Sequence, residues 1–199
     1  MRFLLALGLL AMLSGCGAAI VSQNAPEEVI RAKAYRAPGP ASITVVTVVS
    51  NRSGSGAHSA LVINGSERVI FDPAGSFHHE IVPERDDVLF GISPRVLQAY
   101  KSAHARSTYH VVTQEIEVTP QQAEIALRLA QANGPVASAF CTQATTGLLR
   151  QVPGFEDITS SFFPGNLMRQ IEARGGAVTD RYFEDDAGNI QDGVAKVEL

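Results

Sequence analysis

Cysteine is scarce in this chain, with two among 199 residues, Cys16 and Cys141. That scarcity excludes the disulfide framework on which small exported domains depend. Basic charge is also short. Sixteen Lys and Arg stand against twenty Asp and Glu, for a formal net charge of −4. No basic footprint for a nucleic acid partner results. Long apolar runs are missing as well. The longest, Phe3 to Leu13, is well short of the roughly 20 residues a membrane-spanning helix needs. There is no internal repeat, no low-complexity block and no His-Glu-x-x-His helix motif of a zinc hydrolase. What is present is 45% apolar and 18% charged residues, the composition of a chain with a real core.

The amino terminus, MRFLLALGLLAMLSGCG, has one basic residue, an apolar run and small residues, the build of a secretory signal. Its end, Leu13-Ser14-Gly15-Cys16, is similar to a bacterial lipobox. That resemblance implies a signal peptide over 1–15, cleavage before Cys16 and lipidation of Cys16. The alternative is an ordinary signal peptide with a chance cysteine. Gly17 rather than Asp after the cysteine implies the periplasmic face of the outer membrane. The lipid chains would then be the membrane partner, since acyl chains anchor where no helix spans. Residues 16–40, rich in Ala, Ser, Asn and Pro, read as a flexible tether with at most a weak helix around Pro26 to Ala34. Residues 41–199 read as a single domain.

That domain opens with SITVVTVVS, Ser42 to Ser50, whose β-branched density marks a strand. HSALVIN, from His58, and ERVIFDPAG, from Glu67, are two more strands joined by an Asn-Gly-Ser turn. A helix is expected over Ser93 to His104, with Ser93 as cap and Pro94 in the first turn. A long alternating strand is expected over Ser107 to Thr119. Thr119 and Pro120 open a second helix that ends at Gly134. A helix from Phe140 to about Gln151, another over GNLMRQIEARGG, a strand at Ala177 to Phe183 and a polar tail complete the chain. Strands, helix, strand, then helices make an α+β fold with an antiparallel sheet packed against helices.

With Cys16 assigned to lipid, Cys141 has no partner in the chain. If Ser138 caps its helix, Cys141 lies in the first turn, where free N–H groups and the helix dipole favour a thiolate. The same N–H groups suit an oxyanion. The bland reading is a small buried residue on a helix that packs through Ala144, Leu148 and Leu149. A thiol nucleophile needs a base, and the base an orienting partner. His58 opens its strand and shares a face with Ala60 and Val62. Asp72, across the hairpin, falls opposite or nearly opposite it, where a carboxylate can hold an imidazole in one tautomer.

A histidine opening a strand, a polar residue on the next, and a later cysteine at a helix start resemble the circularly permuted NlpC-type papain-like superfamily, in its lecithin:retinol acyltransferase-like branch. The resemblance rests on HSALVI, IFDPAG and FCTQATTGLL. It implies a papain-like domain and a thiol hydrolase or acyltransferase, with Cys141 as nucleophile, His58 as base and Asp72 as third residue. It implies no cofactor or metal. Amide, ester and thioester carbonyls are the targets, in peptidoglycan peptides or in acyl-lipids. Asp72 stands where many members carry histidine, and Phe140 where many carry asparagine. Gln143 is placed to line such a site or to face solvent.

Two other readings compete. His78-His79-Glu80, with His58 and His110, suggests a zinc site, but adjacent histidines on one loop point apart and a solvated loop is the simpler reading. The second reading has no enzyme: a scaffold or accessory lipoprotein in the cell envelope, with Cys141 buried and inert.

Overall fold

The computed structural model describes residues 24–196 and 199. The expected signal peptide, Cys16 and the first part of the tether lie outside the described residues. Among the described residues, no helix is long and apolar enough to cross a membrane.

Among the described residues, seven strands form one antiparallel sheet in the order β4-β5-β3-β2-β1-β6-β7. They are β1 (Ser42–Ser50), β2 (Gly56–Asn64), β3 (Arg68–Phe71), β4 (Glu84–Arg85), β5 (Val88–Leu89), β6 (Tyr109–Glu117) and β7 (Val178–Tyr182). The β-branched run of β1 lies centrally, between β2 and β6, and is almost wholly buried. Its two faces feed two cores, as the two-residue period of a strand requires. Ile43, Val45, Leu61, Ile63 and Phe71 enter one; Val46, Ala60, Val62 and Ile70 enter the other.

Among the described residues, six helices cover these faces: α1 (Glu27–Lys33), α2 (Pro94–His104), α3 (Pro120–Ala132), α4 (Cys141–Leu149), α5 (Pro164–Arg174) and α6 (Ile190–Lys196). The first core takes Ile30 of α1, Ala126 and Leu127 of α3, Leu148 and Leu149 of α4, and Leu167 and Ile171 of α5. The second takes Val96, Tyr100 and Ala103 of α2, with Val194 of α6 packed against it. Antiparallel sheet and helical layers fit the expected α+β class.

The sequence signals for the starts of α2 and α3 hold. Ser93 Oγ accepts from Val96 N–H, and Pro94 occupies the first turn of α2. Thr119 and Gln122 form a reciprocal capping box on α3.

Three expectations need correction. Residues 24–40 do not behave as a tether. Ile30 is in the core, Ala25 N–H donates to the Glu84 carbonyl, and Arg85 pairs with Glu27, so the folded body starts well before residue 41. The polar tail also folds. Asp186 ties it to Arg106, and α6 lies against α2. That approach requires Gly193, because a Cβ there would stand 2.7 Å from the Ala103 Cα. Finally, Ser138 does not cap α4. Ser138 and Ala139 form a turn closed by Phe140 N–H on the Ala137 carbonyl, and Phe140 is the N-cap, without a side-chain bond.

Candidate active site

The first turn of α4 sits beside the start of β2, and a triangle of hydroxyls holds it there. Ser59 Oγ donates to Thr142 Oγ1 at 3.1 Å and lies 3.1 Å from Thr145 Oγ1. All three residues are fully buried. Cys141 is the first helical residue, nearer the terminus than a Ser138 cap would put it. It is 7% exposed. Its approach follows a tight turn in which Ala139 has φ 71°, the left-handed region that disfavours a side chain. Thus local strain sits two residues before the thiol.

His58 owes its placement to a bulge. Val48 pairs with His58 but Val49 pairs with Gly56, which leaves Ala57 as an extra residue on β2. Bulges twist a strand locally and re-aim its side chains. Gly56 must lack a side chain, since a Cβ would lie 2.5 Å from Gly165 N at the start of α5.

Asp72 follows β3 directly. The register Leu61↔Phe71 puts His58 opposite residue 74, so Asp72 is its diagonal neighbour. The side chains close the gap, with His58 Nε2 2.7 Å from Asp72 Oδ1. Tyr100 Oη of α2 donates to the same oxygen at 2.7 Å. Gly75 N–H bonds to the Asp72 carbonyl, and a Cβ on Gly75 would lie 1.9 Å from Oδ2. The carboxylate is therefore fixed from both sides.

With Nε2 on Asp72, Nδ1 is the ring nitrogen left for the thiol, and His58 and Cys141 are near enough to shift each other's pKa. Burial disfavours a charged His58, but the charge and hydrogen bond of Asp72, then the thiol, outweigh it and raise its pKa to about 10. Burial likewise pushes the Cys141 thiol up. His58, the Ser59 N–H and the Thr142 hydroxyl overcome this and bring it down to about 7. Asp72 is held below the ordinary carboxylate value: burial opposes this, and His58 outweighs burial. Near neutral pH the site holds an imidazolium between a carboxylate and a thiol poised to ionise.

Comparison of the chain with protein-family models, with curated proteins and with solved structures finds no match. The chemistry is read from the side chains alone.

The structure thus brings together all three residues singled out in the sequence, Cys141, His58 and Asp72. Two further residues join them, Tyr100 and His104, both buried on α2. His104 Nδ1 lies 2.8 Å from the Tyr100 carbonyl, so that nitrogen carries the proton and donates. Its ring stacks on His58 with centroids 6.0 Å apart and planes at 7°. Burial lowers its pKa, which keeps it neutral. The spacing Tyr100-x-x-x-His104 puts both on one helical face, a signal the sequence carries. Nothing local ties that face to Asp72.

His58, Asp72 and His104 offer ligand atoms within 4.8 Å of one another. The arrangement suits a metal poorly. His58 Nε2 and Asp72 Oδ1 already bond each other. The loop histidines lie elsewhere. His78 Nδ1 meets Glu84 at 2.6 Å beside an open cavity of about 620 Å³, and His110 Nδ1 meets Asn51 at 2.7 Å. Gln143, half-buried, faces a separate shallow cavity with Phe140 and Val136.

Proposed function

We propose that this chain is a cysteine hydrolase or acyltransferase of the permuted papain-like, NlpC-type build, acting on an amide, ester or thioester. One observation carries the reading: a buried carboxylate holds one nitrogen of His58 at 2.7 Å, and that imidazole neighbours a thiol at a helix N-terminus and lowers its pKa to about 7. That is the nucleophile–base–orienter arrangement of covalent acyl transfer. Lipid on Cys16 would tether the enzyme to the bacterial outer membrane on its periplasmic face, within reach of envelope substrates.

In the reaction, Cys141 Sγ attacks the carbonyl carbon, and the oxyanion meets free N–H groups of the first turn of α4. The carbon–leaving-group bond breaks, and the leaving group takes the proton of His58 Nδ1. Water or another acceptor then adds to the thioester. Its proton passes to His58, and Cys141 leaves as the thiolate. Asp72 keeps Nε2–H engaged throughout, so that Nδ1 is the nitrogen that exchanges protons.

An aromatic rim supports an acyl substrate over a peptidoglycan peptide. Phe140 precedes the nucleophile and packs edge-on against Phe162 at 5.5 Å. Phe140, Phe162 and Phe163 are all exposed, although they are large and apolar. The segment that carries the last two bridges α4 and the start of β2: Ser161 N–H reaches Thr146, and Gly165 abuts Gly56. An apolar chain on a carbonyl at Cys141 has these rings to lie against.

The test is covalent. With p-nitrophenyl butyrate, the protein should release a burst of nitrophenol and gain one butyryl group on Cys141 by mass spectrometry. Cys141→Ser should show no thioester, and His58→Ala a burst slowed about 100-fold or more. A wild-type protein that gains no acyl group, under conditions where its thiol is accessible, overturns the proposal in favour of a non-catalytic envelope lipoprotein.

A further inference from the structure

The turn between β4 and β5 lies at the end of the sheet that carries the candidate site. Arg85 pairs with Val88 across it, so Asp86 and Asp87 form a two-residue loop. Their φ values are 47° and 64°, positive at both positions as in the tightest hairpin turns. Phe71 pairs with Val88, which brings the turn level with the residue after β3, Asp72. Asp72 N–H donates to the Asp87 carbonyl at 2.8 Å.

The Asp87 side chain reaches two further segments. Its Oδ2 accepts from Ala74 N–H at 3.1 Å and from Val136 N–H at 2.7 Å. Ala74 is two residues after Asp72. Val136 packs against the first core and precedes the turn that leads to Cys141. One residue thus holds the backbone on both sides of the site. The turn preference of aspartate explains its presence at position 87. It does not explain bonds to residues 13 and 49 positions away. Backbone strain is distributed in the same way. Among the described residues, Ala74, Asp86, Asp87 and Ala139 are the non-glycine residues with positive φ. All four lie in the turn and in the two segments it joins, and such strain persists only where the surroundings hold it. Burial pushes the Asp87 carboxyl up, and the Ala74 and Val136 N–H groups offset this only in part. The anion is therefore kept there against its own solvation.

We propose that Asp87 is a positioning residue of the candidate site, whose carboxylate clasps the segment after Asp72 to the segment before Cys141 and so sets where thiol, imidazole and carboxylate stand. The inference rests on the reading of Cys141 as a nucleophile activated by His58. Asp87 acts through Asp72, which holds His58, and through the turn that delivers the thiol. Both of its side-chain bonds end on one oxygen, so an amide oxygen can replace it. Asparagine tolerates the left-handed backbone at this position, and glycine adopts it freely. Asp87→Asn therefore keeps the clasp without the charge. Asp87→Gly removes the clasp and relieves the backbone.

The experiment follows iodoacetamide alkylation of Cys141 against pH in the folded wild type and both variants. Removing a negative charge near a thiol lowers its pKa. A rise therefore reports a displaced site and not a lost charge. In Asp87→Gly the midpoint should rise from near 7 toward the ordinary thiol value of about 8.5, and butyryl-Cys141 should form about tenfold more slowly or worse. In Asp87→Asn the midpoint should stay near or below 7. Hydrogen exchange on the wild type is a second readout, independent of how well Asp87→Gly folds: the Ala74 and Val136 amides should be protected. A midpoint that Asp87→Gly leaves in place, an equal rise in Asp87→Asn, or an unprotected Val136 amide in the wild type would overturn the assignment. Failure of the underlying reading looks different: wild-type Cys141 gains no butyryl group, or His58→Ala leaves its alkylation midpoint unmoved, whatever the residue at position 87.

Discussion

Tyr100 and His58 meet at one atom. Each bonds to Asp72 Oδ1 at 2.7 Å, the tyrosine hydroxyl from α2 and the imidazole from β2. A helix on one face of the sheet is thereby coupled to the residue that faces the thiol. Tyr100→Phe keeps the ring packing against Phe77 and His104 and removes only the donor. A hydrogen bond to a charged group contributes about 1.5–3 kcal/mol. Urea unfolding of the variant should show a loss of that size, and an unchanged stability would mean the hydroxyl does not support Asp72.

The register at this site was readable in the sequence, and the second layer was not. The Asn-Gly-Ser turn and the alternation of HSALVI placed His58 and Asp72 at neighbouring positions across the hairpin. The order of strands and the Pro-containing caps of α2 and α3 were likewise local signals, and both were legible. The cap of α4 was misread because Ser138 is a typical capping residue. Here it sits in a turn that Ala139 completes in a left-handed conformation, and no composition rule anticipates an alanine there. The tether was misread because Ile30 is one apolar residue among polar ones, and its burial comes from tertiary contacts alone. Strands β4 and β5 have two residues each, too short for periodicity. Tyr100 and His104 come from a helix distant in sequence, and only the folded sheet brings them to Asp72.

Asp72 and His58 should make stability depend on pH in a defined window. The pKa of His58 is raised from 6.5 to about 10 by folding, so its contribution is complete below 6.5 and is lost as pH rises through about 10. The Asp72 value is lowered from 3.8, so its contribution is complete above 3.8 and is lost as pH falls through the depressed value. Asp72→Asn leaves an imidazolium without its counter-charge, and breaking such a buried pair costs about 3–5 kcal/mol. Denaturant melts should show the largest difference between wild type and Asp72→Asn near pH 5.5 and a much smaller one at pH 10.5. A difference independent of pH would refute the ion pair.

Gly75 offers a second handle on the carboxylate. It is not a matter of backbone freedom: a Cβ would lie 1.9 Å from Asp72 Oδ2, so one of the two must move. Gly75→Ala should displace the Asp72 side chain and cut butyryl-enzyme formation about tenfold or more, an effect of the size expected when an orienting group is misplaced. Gly147→Ala, where a Cβ meets nothing within 4 Å, is the matched control on α4 and should leave that rate near wild type. Equal rates in the two variants would show that the position of Asp72 does not matter to the thiol.

The central claim is that folding makes Cys141 a reactive thiol through His58. Its most direct measurement is the pH dependence of iodoacetamide alkylation of the folded protein, followed at Cys141 by mass spectrometry. The account predicts a rate that rises with a midpoint near pH 7, where the thiol is held by the imidazolium, the Ser59 N–H and the Thr142 hydroxyl. In His58→Ala the midpoint should move up toward the ordinary thiol value of about 8.5. A Cys141 that reacts only after denaturation, or a midpoint that His58→Ala leaves in place, would contradict it.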